Sequence, residues 1–268
     1  MPELERYVLA LLARLDATLR QAVDDFDFNT YTRALVDFCN EDLSAFYFDI
    51  RKDSLYCDAA DDPKRMACRT VLDTLFHALV RYAAPVLVFT AEEVWGTRFP
   101  DGGSVHLLEW PQLPTNTTRH PGEGRGPDQT NNRREAEFSA AGLGPGLRRD
   151  DELVGKWADL REVRQGVLEN IEPYRRAKVL GSSLEARVTV LPADEGRKAL
   201  LNSVDLGEIC IVSDLSVDDE AFGLHGVRVE RTDLHKCGRC WRHLPEVTEN
   251  GALCSRCDQV VAGMDALA

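Results

Sequence analysis

Apolar residues recur at three- and four-residue steps from the start of the chain, at Leu4, Val8, Leu11, Leu12, Leu15 and Leu19. That period predicts an amphipathic helix over residues 3–24. The run Asp24-Asp25-Phe26-Asp27-Phe28-Asn29 breaks it, and Asn29 is a candidate cap for a second helix over residues 30–48. Tyr31, Leu35, Phe38, Asp42 and Ala45 fall on one stripe of that helix, and Phe46, Tyr47 and Phe48 crowd its end. Residues 49–57 read as a turn and connection. Asp61-Asp62-Pro63 opens a third helix with Pro63 at its first position, where a missing N–H costs nothing. Its buried face is marked by Cys68, Val71 or Leu72, Leu75, Leu79 and Tyr82, and Pro85 interrupts or bends it. Thr90 with Glu93 three residues on has the form of a capping box, predicting a short fourth helix through Val94 and Trp95. His106 has no chemically related neighbour and reads as a packed or surface histidine. Residues 1–113 therefore read as an antiparallel helix bundle.

Residues 114–150 lose the periodicity and are dominated by Gly, Pro, Asn, Thr and Arg, as in Pro121-Gly122-Glu123-Gly124-Arg125-Gly126-Pro127. They read as a disordered linker or insertion. A helix over 151–180 follows, with Leu153, Trp157, Leu160, Val163 or Arg164, Val167, Leu168 and Ile171 on its apolar side and Pro173 a candidate kink. Strands are predicted at 185–191, 208–212 and 226–231, with a helix around 194–204 between the first two. Residues 151–232 thus read as a small α/β unit, and residues 233–268 as a separate cysteine module. The predicted class is multidomain: an all-α bundle, a small α/β unit and a four-cysteine, zinc-finger-like module.

The 268 residues are 44% hydrophobic, enough for packed cores, and carry a net charge of −13. An acidic sum argues against generic polyanion binding, which rests on Lys and Arg contacts to phosphate. Local charge differs: Arg228, Arg231, Lys236, Arg239, Arg242 and Arg256, with His225, His235 and His243, make the cysteine module mildly basic. No apolar run is long enough to span a bilayer, and the charged N-terminus lacks the order of a signal peptide. A cytoplasmic protein is expected.

The chemistry lies in the cysteines. Cys237-Gly238-Arg239-Cys240 is separated by thirteen residues from Cys254-Ser255-Arg256-Cys257. Two such pairs at this spacing are a strong signal for one zinc ion held by four thiolates. Four protein ligands close the coordination sphere, so the ion would be structural. Two disulfides or four unrelated core thiols are the alternatives. Cys39, Cys57, Cys68 and Cys210 show no ligand spacing and read as buried packing.

Several stretches carry a resemblance. Phe28-Asn29-Thr30-Tyr31 and Phe38 through Tyr56 resemble the anticodon-binding helix bundle of class I isoleucyl-tRNA synthetases, as do Ala84 through Trp95 and Ser104 through Pro111. Valyl, leucyl and methionyl enzymes share a related bundle. Lys178 through Ala186, and Lys236-Cys237-Gly238-Arg239-Cys240-Trp241, resemble the C-terminal domains of the bacterial isoleucyl enzyme. The resemblance implies a ligase that joins isoleucine to its tRNA with ATP. The chain has neither the HIGH-type nor the KMSKS-type motif of the class I ATP site. The resemblance therefore implies the C-terminal part of a longer enzyme, with ATP and its catalytic domain elsewhere, and a chain inactive by itself.

Its implied partners are isoleucine tRNA and that catalytic domain, with no membrane. Trp241, Arg239 and Arg242 beside the knuckle, Arg175, Arg176 and Lys178 on the preceding helix, and Arg51 and Lys52 in the bundle are the candidate tRNA contacts, since unstacked bases are met by aromatic and Arg side chains. Trp241 could equally cover the metal's apolar side, and Arg51 and Lys52 could pair with Asp49 and Asp53. A stand-alone tRNA-binding module, a nonfunctional remnant, and the equivalent part of a valyl or leucyl enzyme remain as alternatives.

Overall fold

The computed structural model describes residues 1–113, 145–218 and 226–265, with backbone alone for 145–149 and 265. The expected linker at 114–150 lies almost wholly outside the described residues, as does His225. Helix α1 (Glu3–Asp24) runs along the bundle with Leu4, Val8, Leu12, Leu15 and Leu19 buried, matching the period of its sequence. The second helical segment differs from its prediction. It runs without interruption from α2 (Phe28–Asp37) through wide π-helical turns (Phe38–Phe48) into α3 (Asp49–Cys57). Asp27, not Asn29, caps it, accepting the Thr30 N–H at 3.0 Å.

The wide turns move the buried face by one residue. A stripe drawn at 3.6 residues per turn goes from Phe38 to Asp42 and Ala45, whereas the chain buries Leu43, Phe46, Tyr47 and Ile50. Asp42 is instead half-exposed and pairs with Arg161. The connection expected at 49–57 is helix α3, with Ile50, Arg51, Ser54 and Cys57 buried at helical spacing. Its periodicity is hidden because two of those four residues are polar.

Helix α4 (Pro63–Ala83) begins as predicted: Asp62 accepts the N–H groups of Lys64 and Arg65, and Pro63 occupies the first turn. It ends before Pro85. The turn there, in which Leu87 N–H donates to Ala83 O at 2.7 Å, leads directly into α5 (Val88–Arg98). Thr90 therefore lies inside the first turn of α5 and does not cap it. Glu92 accepts Ser104 Oγ–H and Val105 N–H, closing the loop back onto the helix.

Helix α6 (Pro145–Arg176) joins two cores. Its first half places Val154, Trp157 and Leu160 in the bundle core, and its second half places Val167 and Ile171 in a separate core with the sheet. That sheet has the order β2-β1-β3. Strand β1 (Ala186–Leu191) is central, parallel to β2 (Asp214–Val217) and antiparallel to β3 (Gly226–Arg231). Helix α7 (Glu195–Asn202) follows β1 as expected, capped by Asp194. The strand predicted at 208–212 is instead the short helix α8 (Leu206–Cys210), capped by Asp205, which accepts the Glu208 N–H at 2.9 Å. The apolar run Ile209–Val212 suits a strand, but Asp205 sets a helix start and Ile211 ends it with φ of 55°. Among the described residues no helix is long and apolar enough to cross a membrane.

One buried ion-pair group ties these parts together. Arg51 of α3, 3% exposed, donates Nε–H to Glu5 Oε1 (2.6 Å) and Nη2–H to Glu5 Oε2 (2.9 Å). Its Nη1–H goes to Glu208 Oε1 of α8 (2.8 Å), which also accepts from Lys64 Nζ (2.9 Å). Tyr47 completes the group, with its hydroxyl 3.4 Å from Glu5 Oε1 and 3.3 Å from Cys68 Sγ. Removing one partner of a fully buried pair leaves the other charge without compensation. We predict that Glu5→Gln lowers bundle stability by about 3–5 kcal/mol, read as the urea midpoint, and that Glu208→Gln costs clearly less, because Arg51 keeps both contacts to Glu5.

Candidate metal centre and adjoining cleft

The four cysteines of the two knuckles come together. Cys237, Cys240, Cys254 and Cys257 are all buried, and their sulfurs lie within 4.8 Å of one another. The hairpin of β4 (His235–Lys236) and β5 (His243–Leu244) flanks the first knuckle, and α9 (Ser255–Asp265) begins at the second. Cys240 Sγ and Cys254 Sγ are 3.8 Å apart. A tetrahedron with zinc–sulfur bonds of about 2.3 Å has edges of about 3.8 Å, whereas a disulfide needs about 2.05 Å. All eight cysteines are free thiols. The donor set thus fits a closed, tetrahedral zinc site and not a pair of disulfides.

The backbone around the sulfurs is arranged for thiolates. The Cys254 N–H donates to Cys237 Sγ at 3.3 Å. Burial pushes the Cys237 thiol up, but donation from the backbone N–H groups of Cys240, Arg239 and Cys254 outweighs it and brings the thiol down to about 6. Burial raises Cys240 to about 12. Metal binding at this set therefore displaces protons. Glycine is required at one point: a Cβ on Gly238 would sit 2.4 Å from Gly251 O, where the first knuckle passes the turn before the second. Val247, Leu244, Ala252, Leu253 and Cys57 fill the space around the sulfurs, so Cys57, expected only as packing, packs on the metal site itself. His243 is not a ligand; its Nδ1 lies 2.7 Å from Leu234 O and its N–H donates to Ser213 Oγ.

The module sits against the end of α3, and a cleft of about 570 Å3 lies between them. Tyr56 and Trp241 are its aromatic residues, 78% and 61% exposed. Trp241 stands on a left-handed residue (φ 65°) directly after the first knuckle, with Lys236 Nζ 5.4 Å from its ring centre. Most of its surface faces solvent. Arg242 also lines the cleft, and its guanidinium has no hydrogen-bond or ion-pair partner among the described residues. Lys52 and Lys64 add positive charge, held by Asp49 and Glu208.

The other candidate contacts are placed differently. Arg51 is enclosed by Glu5 and Glu208, so no face of it is open to a ligand, which corrects the expectation of a surface contact. Arg239 lines the cleft but is half-buried, its guanidinium engaged by the carbonyls of Cys57 (2.6 Å) and Tyr56 (3.1 Å). Arg175 and Arg176 are exposed at the end of α6, both facing Glu172, and Lys178 follows in the left-handed turn that closes the helix. None of those three lines the cleft. Sequence reasoning missed Tyr56 and Lys64, which lie in a segment read as connection and at the start of a helix. Periodicity carries no signal for exposed residues that an adjoining domain converts into a cleft wall.

Comparison with known proteins agrees with this geometry. Residues 5–190 match the family described as the anticodon-binding domain of tRNA ligase. Residues 235–260 match the zinc finger found in FPG and IleRS. The isoleucine–tRNA ligase of Zymomonas mobilis is 51% identical over 266 residues, covering 97% of this chain and 25% of that protein. Those of Gluconobacter oxydans (42% identical) and Agrobacterium fabrum (40%) cover 98% and 92% of this chain and 24% and 23% of their own lengths. The chain therefore spans about a quarter of the curated relatives it matches.

We predict one zinc per chain by elemental analysis of purified protein. Cys237→Ser should lose that zinc and the protection of residues 235–257 from hydrogen exchange, while bundle helices α1 and α4 keep theirs. Gly238→Ala should weaken zinc retention although no ligand is changed, because the backbone at Gly251 has to move.

Proposed function

The chain belongs to the family of anticodon-binding domains of tRNA ligases, and from that premise we propose that it is the tRNA-recognition portion of an isoleucine–tRNA ligase. In this reading the rest of the ligase binds ATP and isoleucine and performs the chemistry, and the chain alone is inactive. The observation that carries the proposal is the cleft: two exposed aromatic rings, Tyr56 and Trp241, beside the Arg242 guanidinium, which has no partner among the described residues, bordered by a buried four-thiol site. Single-stranded loops are recognised by stacking unpaired bases on aromatic rings and by Arg contacts to bases and phosphates. Trp241 and Tyr56 would supply the stacking faces, Arg242 the charge-assisted hydrogen bonds, and Lys52 and Lys64 contacts to the backbone. Arg175, Arg176 and Lys178 would act further along the RNA stem, at the exposed end of α6. Zinc, when bound, supplies the cross-link that fixes the shape of the small module. The cytoplasm, where thiols stay reduced, suits such a site.

The acidic net charge is compatible with this role because phosphate is met locally. Isoleucine identity rests on relatives that are 40–51% identical over at least 92% of this chain.

The test is binding of isoleucine tRNA and of an unrelated tRNA to the purified, zinc-loaded chain at fixed salt. Preference for isoleucine tRNA is expected, and Trp241→Ala should weaken it by about 1–3 kcal/mol without loss of zinc. Equal, weak binding of both tRNAs, indifferent to zinc and to Trp241, would overturn the assignment.

A further inference from the structure

The two knuckles share a feature beyond their cysteines. Each has arginine at its third position, Arg239 in Cys237-Gly238-Arg239-Cys240 and Arg256 in Cys254-Ser255-Arg256-Cys257. Both side chains pass the sulfurs, with Arg239 Nη1 3.7 Å from Cys257 Sγ and Arg256 hydrogen-bonded to Cys240, and both reach the C-terminal end of α3. Arg239 Nη1–H and Nη2–H donate to the carbonyls of Cys57 and Tyr56, two of the carbonyls that the end of a helix leaves without partners. Arg256 Nη1–H donates to Asp53 Oδ2 (2.7 Å) and Asp58 Oδ1 (2.8 Å), and its Nη2–H to Asp53 Oδ1 (3.1 Å). Asp58 is itself fixed by the Ser54 hydroxyl. A positive group at a helix C-terminus is also favoured by the helix dipole.

We propose that Arg239 and Arg256 form a two-pronged latch that docks the metal module on α3 and so positions Tyr56 relative to Trp241 across the cleft. They act as positioning residues and not as contacts to RNA. The knuckle backbone fixes where both arginines start, so four thiolates on one metal orient both prongs at once. The planar fork of Arg256 spans two carboxylates, which the point charge of lysine cannot do equally well. The docking part of the proposal stands on the intramolecular contacts alone; its consequence for tRNA rests on the reading of the cleft given above.

The experiment compares zinc-loaded wild-type chain with the double variant Arg239→Gln/Arg256→Gln, with Arg256→Lys, and with Asp53→Asn/Asp58→Asn. The last removes the partners of Arg256 without touching the module. The readouts are zinc content, hydrogen exchange at residues 53–58, acrylamide quenching of tryptophan fluorescence, and tRNA affinity across a salt series. Trp241 is the most exposed indole and dominates quenching, since Trp95 and Trp157 are buried and Trp110 is only partly exposed and is left unchanged in every variant.

The expected result is one zinc per chain in every variant, with exchange at 53–58 faster by roughly tenfold or more in the double glutamine and double asparagine variants. Quenching should change with it, and Arg256→Lys should restore part of the protection. tRNA affinity should fall while the slope of log affinity against log salt stays constant. Unchanged exchange and quenching in both double variants would overturn the latch, whatever the chain does with tRNA. Unchanged exchange with a salt slope smaller by about one per arginine removed would show instead that the arginines neutralise phosphate directly. Loss of zinc in the double glutamine variant, with the asparagine variant unaffected, would also overturn it, making the arginines part of the metal site only.

Discussion

The architecture turns on one charge in the interior. Arg51 cannot reach water, so its guanidinium must be matched from within, and the match comes from opposite ends of the chain: Glu5 in α1 and Glu208 in α8. Desolvating such a group is expensive, and the pair is tolerated only when geometry and hydrogen bonding are nearly complete. That requirement fixes the register of α1 against α3 and holds α8, whose Ile209 lies in the bundle core and whose Leu206 and Cys210 lie in the second core, onto the bundle. A hydrophobic contact would be indifferent to small slips; a fork of five donors facing two carboxylates is not.

Helix α6 carries the same logic along its length. Its apolar stripe is divided between two cores, and its arginines mark the seam. Arg164 donates to Ile209 O of α8 at 2.9 Å and to Asp49 Oδ2 of α3 at 2.6 Å, and it lies over the ring of Phe46 at 5.6 Å. Arg161 reaches Asp42 and Glu41 O one turn earlier. The bundle and the α/β unit thus meet through partly buried, charge-assisted hydrogen bonds. Such contacts hold an orientation more strictly than an apolar interface of similar area. The metal module is attached in the same manner, through arginines that reach the end of α3. The cleft beside it exists only because α3, the start of α4, α8 and the cysteine module all contribute walls.

In the proposed reading, this division is how tRNA recognition sits on an acidic protein. Most arginines near the junctions face carboxylates or carbonyls of the same chain and add nothing to the outer field. Among the described residues around the cleft, the groups left over include Arg242, the ring of Trp241 with Lys236 beside it, and the ring of Tyr56. Recognition by a few well-placed groups favours discrimination over bulk affinity, because base faces and edges carry the sequence information and phosphate does not.

Local chemistry was legible in the sequence. The Cys-x-x-Cys pairs specified the four-thiol site because each knuckle is a short turn whose spacing alone aims two sulfurs at one point. The apolar period of α1, the Asp62-Pro63 start of α4 and the alternation of β1 likewise depend on neighbours within a few residues. Tertiary structure decided what depends on partners far away in the chain. The π-helical turns displaced the stripe after Phe38, so Leu43 and not Asp42 faces the core. Arg51 reads as an exposed charge until Glu5 and Glu208 are seen around it, and Asp205 made a helix of a segment whose apolar run suits a strand. Arg239 and Arg256 read as surface charge until the end of α3 is found beneath them. Periodicity records which face a helix buries, but only packing determines what that face meets, and a buried charge is recognisable only by its partner.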